Sequence, residues 1–348
     1  MTVARAPIAP HSRDRRRLIG ALLGSPFLAA CQAALEAPER GPIAGVFTGR
    51  IDDGGFHEQG YRGLLRVRDQ LHIPIQSVDR IAPDRESILS ALRDAAQSAA
   101  TMIVAHGGVS SEAVQRVAWE FPHKRFTLIQ GDRLRPNLAI YRVQAEQSAW
   151  LAGAAAGLLS RTGLVGHVFA QPDEDTLNLR NAFVAGARTT NAKIHVIDPV
   201  MQAASGHVEL SRMVSAQRDA GADLLFVTGA PPHAIDATWE ATRRRGVRLI
   251  GQGRDWVAAR PHAFVASAVA DTGAAIIQLG RDLQDSMWRG DQSRRYGLRY
   301  PEMVRLVLAP DVPANTVATL DELRGQVASG RIVVPGSDAP RKLDPTNR

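Results

Sequence analysis

A run of residues whose types suit binding or catalysis follows the first apolar segment of the chain. Residues 52–57 read Asp-Asp-Gly-Gly-Phe-His. Paired aspartates suggest the metal site of a nucleoside hydrolase, but such a site needs further carboxylates in the same loop, and glycines follow here instead. The ring of Phe56 could stack on a flat ligand. A phenylalanine at this place can also fix the start of a helix against the core, so both interpretations stay open.

A second loop, at residues 106–110, has the sequence His-Gly-Gly-Val-Ser and follows another apolar segment. Its backbone amides, that of Gly107 among them, could hold an anion or a carbonyl at the start of the next helix. The alternative is a simple helix cap by the side chain of Ser110. This loop is therefore a candidate binding element.

Signatures of catalysis and of bound metal are missing from the sequence. It contains no His-Glu-x-x-His, no Gly-x-Ser-x-Gly, no phosphate-binding P-loop and no Gly-x-Gly-x-x-Gly after an apolar strand-like segment. The ten histidines are scattered without the spacing of zinc ligands. We therefore predict a protein that is not an enzyme and that holds no metal and no cofactor.

Cys31 is the only cysteine, and it ends a segment typical of an export signal. Four arginines lie in residues 13–17, residues 18–28 are mostly apolar, and two alanines precede the cysteine. The apolar run is too short to span a bilayer. The pattern resembles a bacterial lipoprotein signal, in which the cysteine carries a diacylglycerol and becomes the new N-terminus. Acylation would leave the mature chain without a thiol, which excludes a disulfide, a cysteine nucleophile and a thiolate metal site.

Two export routes are compatible with this segment. Residues 14–19, Asp-Arg-Arg-Arg-Leu-Ile, resemble a twin-arginine signal, and Gly20, Gly24 and Pro26 give the weak hydrophobicity that suits this route. An ordinary secretory leader with extra arginines is the alternative. Either route predicts a periplasmic protein that is anchored to a membrane by the lipid on Cys31, and the choice between inner and outer membrane stays open.

The composition is that of a folded globular protein. The chain has 348 residues, of which 45% are hydrophobic and 22% are charged, enough for two lobes with separate cores. Its formal charge is +7, but residues 1–30 contain five Arg and one Asp, so only +3 belongs to the remainder. This charge is too weak to indicate a nucleic-acid partner, and we predict none.

Apolar segments that suit strands alternate with amphipathic segments that suit helices from residue 42 onward, as in βαβ units with a parallel sheet. Residues 61–71 and the Ala-rich residues 144–159 show the helical spacing of apolar side chains. The predicted strands are 43–48, 73–78, 102–105, 126–129, 138–143, 164–169, 195–197, 224–227, 249–251 and 264–268. Since one sheet usually holds five or six strands, ten strands predict two sheets.

Several segments, in order along the chain, resemble one known family. Residues 53–64, Asp-Gly-Gly-Phe-His-Glu-Gln-Gly-Tyr-Arg-Gly-Leu, are similar to the Asp-x-x-aromatic-Asn…Tyr-x-Gly-Leu signature of the basic membrane proteins, substrate-binding lipoproteins of ABC importers. Residues 112–131 resemble the family's helix, Phe-Pro, strand and closing glycine, and residues 141–153 resemble its crossover and Leu-Ala-Gly helix. Further similar segments are 182–187, 219–223, 246–251 and 329–335. The resemblance covers nearly the whole mature chain.

The resemblance implies a type I periplasmic-binding-protein fold. This is an α/β architecture of two doubly wound parallel-sheet lobes, joined by three crossovers, that close over a ligand. It also implies a small-molecule ligand, which is a purine nucleoside in several members, and an ABC permease in the inner membrane as partner; we expect a monomer. By analogy, the chain divides into a signal at 1–30, a tether at 31–41, a first lobe at 42–143 and 254–289, a second lobe at 144–253, a segment shared by both lobes at 290–335 and a flexible tail at 336–348.

The resemblance also implies where the ligand binds. Asp53 and Phe56 match the family's motif, with Phe56 as the ring that stacks on a base and Asp53 as its polar neighbour. His57 stands where asparagine is usual. Thr228 and Gly229 match a ligand-facing turn in the second lobe.

Two further positions depart from the family's pattern. Gln130 and Gly253 stand where nucleoside-binding members often have aspartate, so that only Asp255 remains in the latter segment. The replacement of aspartate at these two positions removes carboxylates that could hold ribose hydroxyls. Trp256, next to Asp255, could supply a second stacking face or a wedge between the lobes. We expect a small planar solute, either a purine nucleoside or a nucleobase-like molecule.

The function that these observations favour is capture of that solute as the substrate-binding lipoprotein of an ABC importer. A ligand-sensing ectodomain that passes a signal to a membrane partner is the second hypothesis. A nucleoside hydrolase is the third.

Overall fold

The computed structural model describes residues 41–107, 111–169, 173–197, 207–229, 235, 239 and 246–337. The predicted signal at 1–30, Cys31, the tether up to residue 40, the cap at Ser110 and the tail beyond residue 337 lie outside these ranges. The described residues all belong to the unit Gly41–Arg348 of the chain.

Within the described ranges, twelve strands form two six-stranded sheets. In chain order the strands are β1 (Ile43–Phe47), β2 (Ile75–Val78), β3 (Met102–His106), β4 (Arg125–Ile129), β5 (Leu138–Val143), β6 (Leu164–Phe169), β7 (His195–Val196), β8 (Leu224–Thr228), β9 (Arg248–Gly253), β10 (Phe264–Ala270), β11 (Ser293–Tyr296) and β12 (Val304–Leu308). The described helices are α1 (Phe56–Leu71), α2 (Arg85–Gln97), α3 (Ser111–Glu120), α4 (Ala145–Leu159), α5 (Glu174–Thr190), α6 (His207–Asp219), α7 (Trp256–Ala259), α8 (Thr272–Gln284) and α9 (Ala314–Ala328).

The first sheet has the strand order β11-β5-β4-β3-β1-β2, and all its pairings are parallel. The second has the order β12-β10-β9-β8-β6-β7, with only the β10–β12 pair antiparallel. Every residue of β1, β3, β8 and β10 is buried, because helices cover both faces of a parallel sheet. We call these sheets and their helices the first and the second lobe. The predicted α/β fold with two doubly wound lobes is confirmed.

All ten strands predicted from apolar segments are present, and two further strands escaped the prediction. These are β11, with the sequence Ser-Arg-Arg-Tyr, and β12, with the sequence Val-Arg-Leu-Val-Leu. Each lies at the edge of its sheet, and most of its residues are only partly buried. Edge strands tolerate charged side chains, so these segments lack the continuous apolar run that reveals an inner strand.

One predicted boundary between the lobes is wrong. Residues 254–289 were expected in the first lobe, but β10 pairs with β9 and β12 and therefore belongs to the second sheet. All seven residues of β10 are buried, as an inner strand between two neighbours requires. The chain returns to the first lobe only at residue 271, after which α8 packs against α1.

Three connections cross between the lobes. The chain passes from β5 to β6 through α4, from β10 to β11 through α8, and from β11 to β12. The first crossover brings α4 against α5, and a Cβ atom on Gly153 or Gly186 would collide with the backbone carbonyl of Phe183 or Trp150. Glycine at these two positions lets the helix backbones touch. No described helix has the length and apolar character needed to cross a membrane.

Candidate ligand-binding site

The first lobe brings the two candidate loops together at the carboxyl ends of its strands, where ligands bind in open α/β sheets. Strands β1 and β3 are neighbours, with Phe47 opposite His106 in the register. The loop after β1 leads to Phe56 and His57 at the start of α1, and the residue after β3 is Gly107. The structure thus places Phe56, His57 and Gly107 side by side.

The ring of Phe56 lies on the imidazole of His106, and the residue as a whole remains 41% exposed. The two ring centroids are 4.4 Å apart with an interplanar angle of 37°, and the His57 ring approaches the Phe56 ring edge-on at 5.5 Å. Gly107 has φ +92°, and a Cβ atom there would lie 2.8 Å from Cε1 of Phe56. Glycine therefore makes room for an aromatic ring that is supported from beneath and open to a flat ligand.

His106 is fully buried, and burial lowers its pKa to about 3, with a smaller contribution from His57. Its Nε2 lies 2.9 Å from Oγ1 of Thr272, whose hydroxyl donates to Oε1 of Gln59 at 3.0 Å. Because a hydroxyl has one hydrogen, Oγ1 must accept from the histidine, which fixes the proton on Nε2. The support beneath Phe56 is thus a neutral imidazole held in one orientation.

His57 is partly buried. Its ring covers Gly49, where a Cβ atom would collide with the imidazole. Burial lowers the pKa of His57, and the charge of Asp53 opposes this only in part. Its Nδ1 is buried and has no hydrogen-bond partner within the described ranges. His57 therefore contributes a neutral ring to the wall beside Phe56.

Asp53 holds the loop that presents Phe56. Its carboxylate accepts hydrogen bonds from the backbone N–H groups of Gly55 at 2.7 Å, Glu58 at 3.1 Å and His57 at 3.2 Å. Glu58 in turn accepts from the N–H of Gly54 at 2.7 Å. This reciprocal arrangement satisfies the free amides at the start of α1 and fixes the direction of the helix.

In the second lobe, Thr228 ends β8 and Gly229 follows it, and the two residues lie in different environments. The hydroxyl of Thr228 is buried 2.9 Å from Nε2 of His167, whose pKa burial lowers to about 3. Gly229 is exposed with φ +65°, and no atom lies within 4 Å of the place of a Cβ. Of this predicted pair, the backbone at Gly229 is the part open to solvent.

Trp256 is not available as a stacking face, contrary to one of its two predicted roles. The residue is 5% exposed, and its ring stacks on Phe264 with centroids 5.5 Å apart. The guanidinium of Arg254 lies 5.0 Å from the centroid of the Trp256 ring, and Nε1 donates to the carbonyl of Gln252. These contacts all lie within the second lobe, and the role of Trp256 as a wedge between the lobes stays a prediction. Asp255 caps α7 by accepting from the N–H of Ala258 at 2.9 Å.

Gln130 and Gly253, which also depart from the family pattern, are engaged in the framework. The side-chain amide of Gln130 accepts from the N–H of Val143 at 2.7 Å and donates to its carbonyl at 3.0 Å. Gly253 has φ +91°, and its carbonyl accepts from Nε2 of Gln59 at 3.2 Å. Neither position carries a carboxylate that could receive a ligand hydroxyl.

Four residues around the site were missed from the sequence: Gln59, His106, Thr272 and Arg254. His106 was part of a candidate loop, but its burial beneath Phe56 depends on the pairing of β1 with β3. Gln59 and Arg254 connect the lobes, since Nη1 of Arg254 donates to the carbonyl of Gly54 at 2.8 Å. These partners are 200 residues apart, and no local signal links them.

No group of three His, Cys, Asp or Glu side chains in the described part of the chain is arranged to hold a metal ion. A cavity of about 580 Å³ lies elsewhere, at the amino-terminal ends of β8 and β9, and its lining includes Asp223, Val247 and His262. It is at the opposite end of the strands from Gly229 and Gly253. The site assembled around Phe56 is therefore separate from this cavity.

Comparison with known proteins agrees with this architecture. A family model described as ABC transporter substrate-binding protein PnrA-like matches residues 42–338. Basic membrane protein A of Borreliella burgdorferi is 24% identical over 309 residues, which cover 84% of this chain and 87% of the relative. A purine-binding protein of Brucella abortus is 20% identical over 310 residues, which cover 86% of this chain and 84% of the relative.

A solved structure of an ABC transporter solute-binding protein from Conexibacter woesei is similar in fold. The TM-score is 0.68 at 21% sequence identity, and the match covers 84% of this chain and 98% of that protein. At this identity the structural likeness supports the fold alone. On the match of the family model to residues 42–338, this chain belongs to the PnrA-like substrate-binding proteins of ABC transporters, the family of the basic membrane proteins.

Proposed function

We propose that this substrate-binding protein captures a small planar solute on the ring of Phe56 and presents it to an ABC permease. The observation that carries the proposal is a 41% exposed phenylalanine at the carboxyl ends of the strands, supported by the neutral imidazole of His106. Stacking on such a ring favours flat, aromatic molecules. The purine-binding relative points to the same ligand class. His57, Gly107 and Gly229 would complete the walls.

Within that class, the site suits a nucleobase-like molecule better than a nucleoside. The side chain of Gln130 is bonded to both backbone groups of Val143, and Gly253 has no side chain. The carboxylates of Asp53 and Asp255 accept from backbone amides at helix starts. At these described positions few carboxylate oxygens remain for ribose hydroxyls, and a buried hydroxyl without an acceptor is costly.

We further propose that lipid on Cys31 holds the protein at a membrane facing the periplasm, as a monomer. The sequence around this only cysteine supports the assignment. Metabolic labelling with an alkyne fatty acid should mark the wild-type protein and leave Cys31→Ser unmarked. Equal labelling of both proteins would contradict acylation at this residue.

The binding proposal is tested by calorimetry and thermal unfolding on the full chain carrying Cys31→Ser. The panel contains adenine, hypoxanthine, adenosine, glucose and leucine. A ligand at 100 times its Kd stabilises the folded state by about 2.7 kcal/mol, which raises Tm by several degrees. We expect this for the bases, a weaker shift for adenosine and none for glucose or leucine. A shift with glucose or leucine alone would contradict the proposal, and cleavage of adenosine would favour the hydrolase instead.

A further inference from the structure

Two hydrogen bonds join the second lobe to α1, which carries Phe56, and to the loop that precedes it. Nη1 of Arg254 donates to the carbonyl of Gly54 at 2.8 Å, and Nε2 of Gln59 donates to the carbonyl of Gly253 at 3.2 Å. Gly54 and Gln59 lie on either side of Phe56 in the chain, whereas Gly253 and Arg254 are consecutive at the end of β9. The lobes are therefore in direct contact beside the stacking ring.

The segment Gly253–Arg254 is held in the shape that this contact needs. Gly253 has φ +91°, a conformation that glycine adopts without strain. The guanidinium of Arg254 lies over the ring of Trp256, which is itself packed on Phe264. An arginine placed on a fixed aromatic ring loses little further freedom when it donates to a partner. The second lobe thus presents a prepared donor to the first.

Gln59 connects this contact to the support beneath Phe56. Its Oε1 accepts from both the N–H and the hydroxyl of Thr272, each at 3.0 Å. Thr272 begins α8, where the chain returns from the second lobe, and its hydroxyl accepts from His106. One chain of hydrogen bonds therefore runs from the imidazole under Phe56 to the carbonyl of Gly253. Such connected polar groups stabilise one another.

We propose that the segment Gly253–Arg254 is a latch that holds the second lobe against the start of α1, and that Arg254 and Gln59 are positioning residues for ligand retention. The retention part rests on the proposed function, whereas the lobe contact does not. Opening the lobes breaks both hydrogen bonds, and closing them restores the wall beside Phe56. Ligand dissociation should therefore require release of the latch.

Distances between spin labels test the latch without any ligand. Cys31→Ser removes the only cysteine, so Gln97→Cys and Lys193→Cys give one label on each lobe. Both positions are exposed and lie toward the amino-terminal ends of the strands, away from the site. Double electron–electron resonance on the full chain should give one narrow distance for the parent protein. Arg254→Ala and Gln59→Glu should broaden and shift that distribution.

The two substitutions are chosen to spare the fold. Arg254 is exposed, and a glutamate at position 59 keeps the acceptor for Thr272 while losing the donor to Gly253. Arg62→Ala is the matched control, because Arg62 pairs with Glu58 inside the first lobe. Thermal unfolding of each variant reports whether it is folded. Unchanged distance distributions in folded Arg254→Ala and Gln59→Glu would overturn the latch.

A kinetic experiment adds the functional consequence, with adenine as the probe. We expect stopped-flow dissociation to become about tenfold faster in Arg254→Ala, since a hydrogen bond to a charged group is lost. Arg254→Lys, which keeps the charge and a donor, should restore part of the difference. If adenine fails to bind the parent protein, the nucleobase proposal fails while the label distances still decide the latch. Equal adenine dissociation rates in the parent protein and Arg254→Ala would overturn the role of the latch in ligand retention.

Discussion

Replacement of Gly107 by alanine tests whether the stacking ring depends on the space left by this glycine. The added Cβ would lie 2.8 Å from Cε1 of Phe56, closer than two carbon atoms can approach without movement. The backbone there has φ +92°, which is also unfavourable for alanine. Gly107→Ala therefore combines backbone strain with a forced shift of the aromatic ring.

The magnitude follows from these two effects. A residue with a side chain at positive φ costs about 1–2 kcal/mol. Displacing Phe56 from His106 forfeits an aromatic contact worth about 0.5–1.5 kcal/mol. We expect Gly107→Ala to lower the free energy of unfolding by about 1.5–3.5 kcal/mol. Binding of adenine should weaken as well, because the ring no longer faces the site.

Urea denaturation and calorimetry with adenine provide the measurements, and Gly330→Ala is the matched control. Gly330 has φ +78° at the end of α9, with no atom within 4 Å of the place of a Cβ. Gly330→Ala should lower the free energy of unfolding only by the cost of the positive φ, about 1–2 kcal/mol, and should bind adenine normally. Equal stability losses in the two variants, with unchanged adenine binding, would refute the reasoning.

Three more outcomes follow from the structure. Phe56→Ala should weaken adenine binding in calorimetry by about 1–3 kcal/mol, the usual contribution of a base stacked on an aromatic side chain. Trp119→Ala, which removes another exposed aromatic side chain on α3, should bind adenine normally; equal affinities of the two variants would show that Phe56 does not belong to the site. Gly153→Val should lower the free energy of unfolding, measured in urea, by more than about 3 kcal/mol, because the valine side chain would collide with the carbonyl of Phe183 on α5. A smaller decrease in the free energy of unfolding would mean that α4 and α5 can separate. The pKa of His106 and that of His167 are both lowered to about 3, so below pH 6.5 the unfolded chain takes up protons that the folded chain does not. The free energy of unfolding should therefore fall by up to about 1.4 kcal/mol per pH unit for each histidine. Measured between pH 7 and pH 5, His106→Gln should lose its share of that slope; an unaltered slope would show that His106 takes up a proton equally well in the folded and the unfolded chain.

Much of the fold could be predicted because the inner strands are covered on both faces. The residues of β1, β3, β8 and β10 are all buried, so each strand is a run of apolar residues in the sequence. The edge strand β11 has two arginines in four residues and gave no such signal. The lobe to which β10 belongs could not be predicted either, because a buried run does not specify its neighbours.

The candidate site was predictable where it depends on a loop after a strand. Phe56 and Gly107 follow β1 and β3, and parallel neighbours bring such loops together without further information. The role of Trp256 was not predictable, since burial against Phe264 depends on the packing of α7 on β10. The hydrogen bond from Arg254 to Gly54 depends on how the lobes meet, which no local pattern of residues encodes.

The arrangement of β11 and β12 bears on how the polypeptide acquires its structure during synthesis. Each is the last strand added to its sheet, and β11 covers the edge of β5 while β12 covers the edge of β10. The first sheet cannot be completed before the ribosome has made residues 293–296, nor the second before it has made residues 304–308. A chain truncated ahead of that stretch would leave two bare strand edges, which readily recruit other molecules into aggregates.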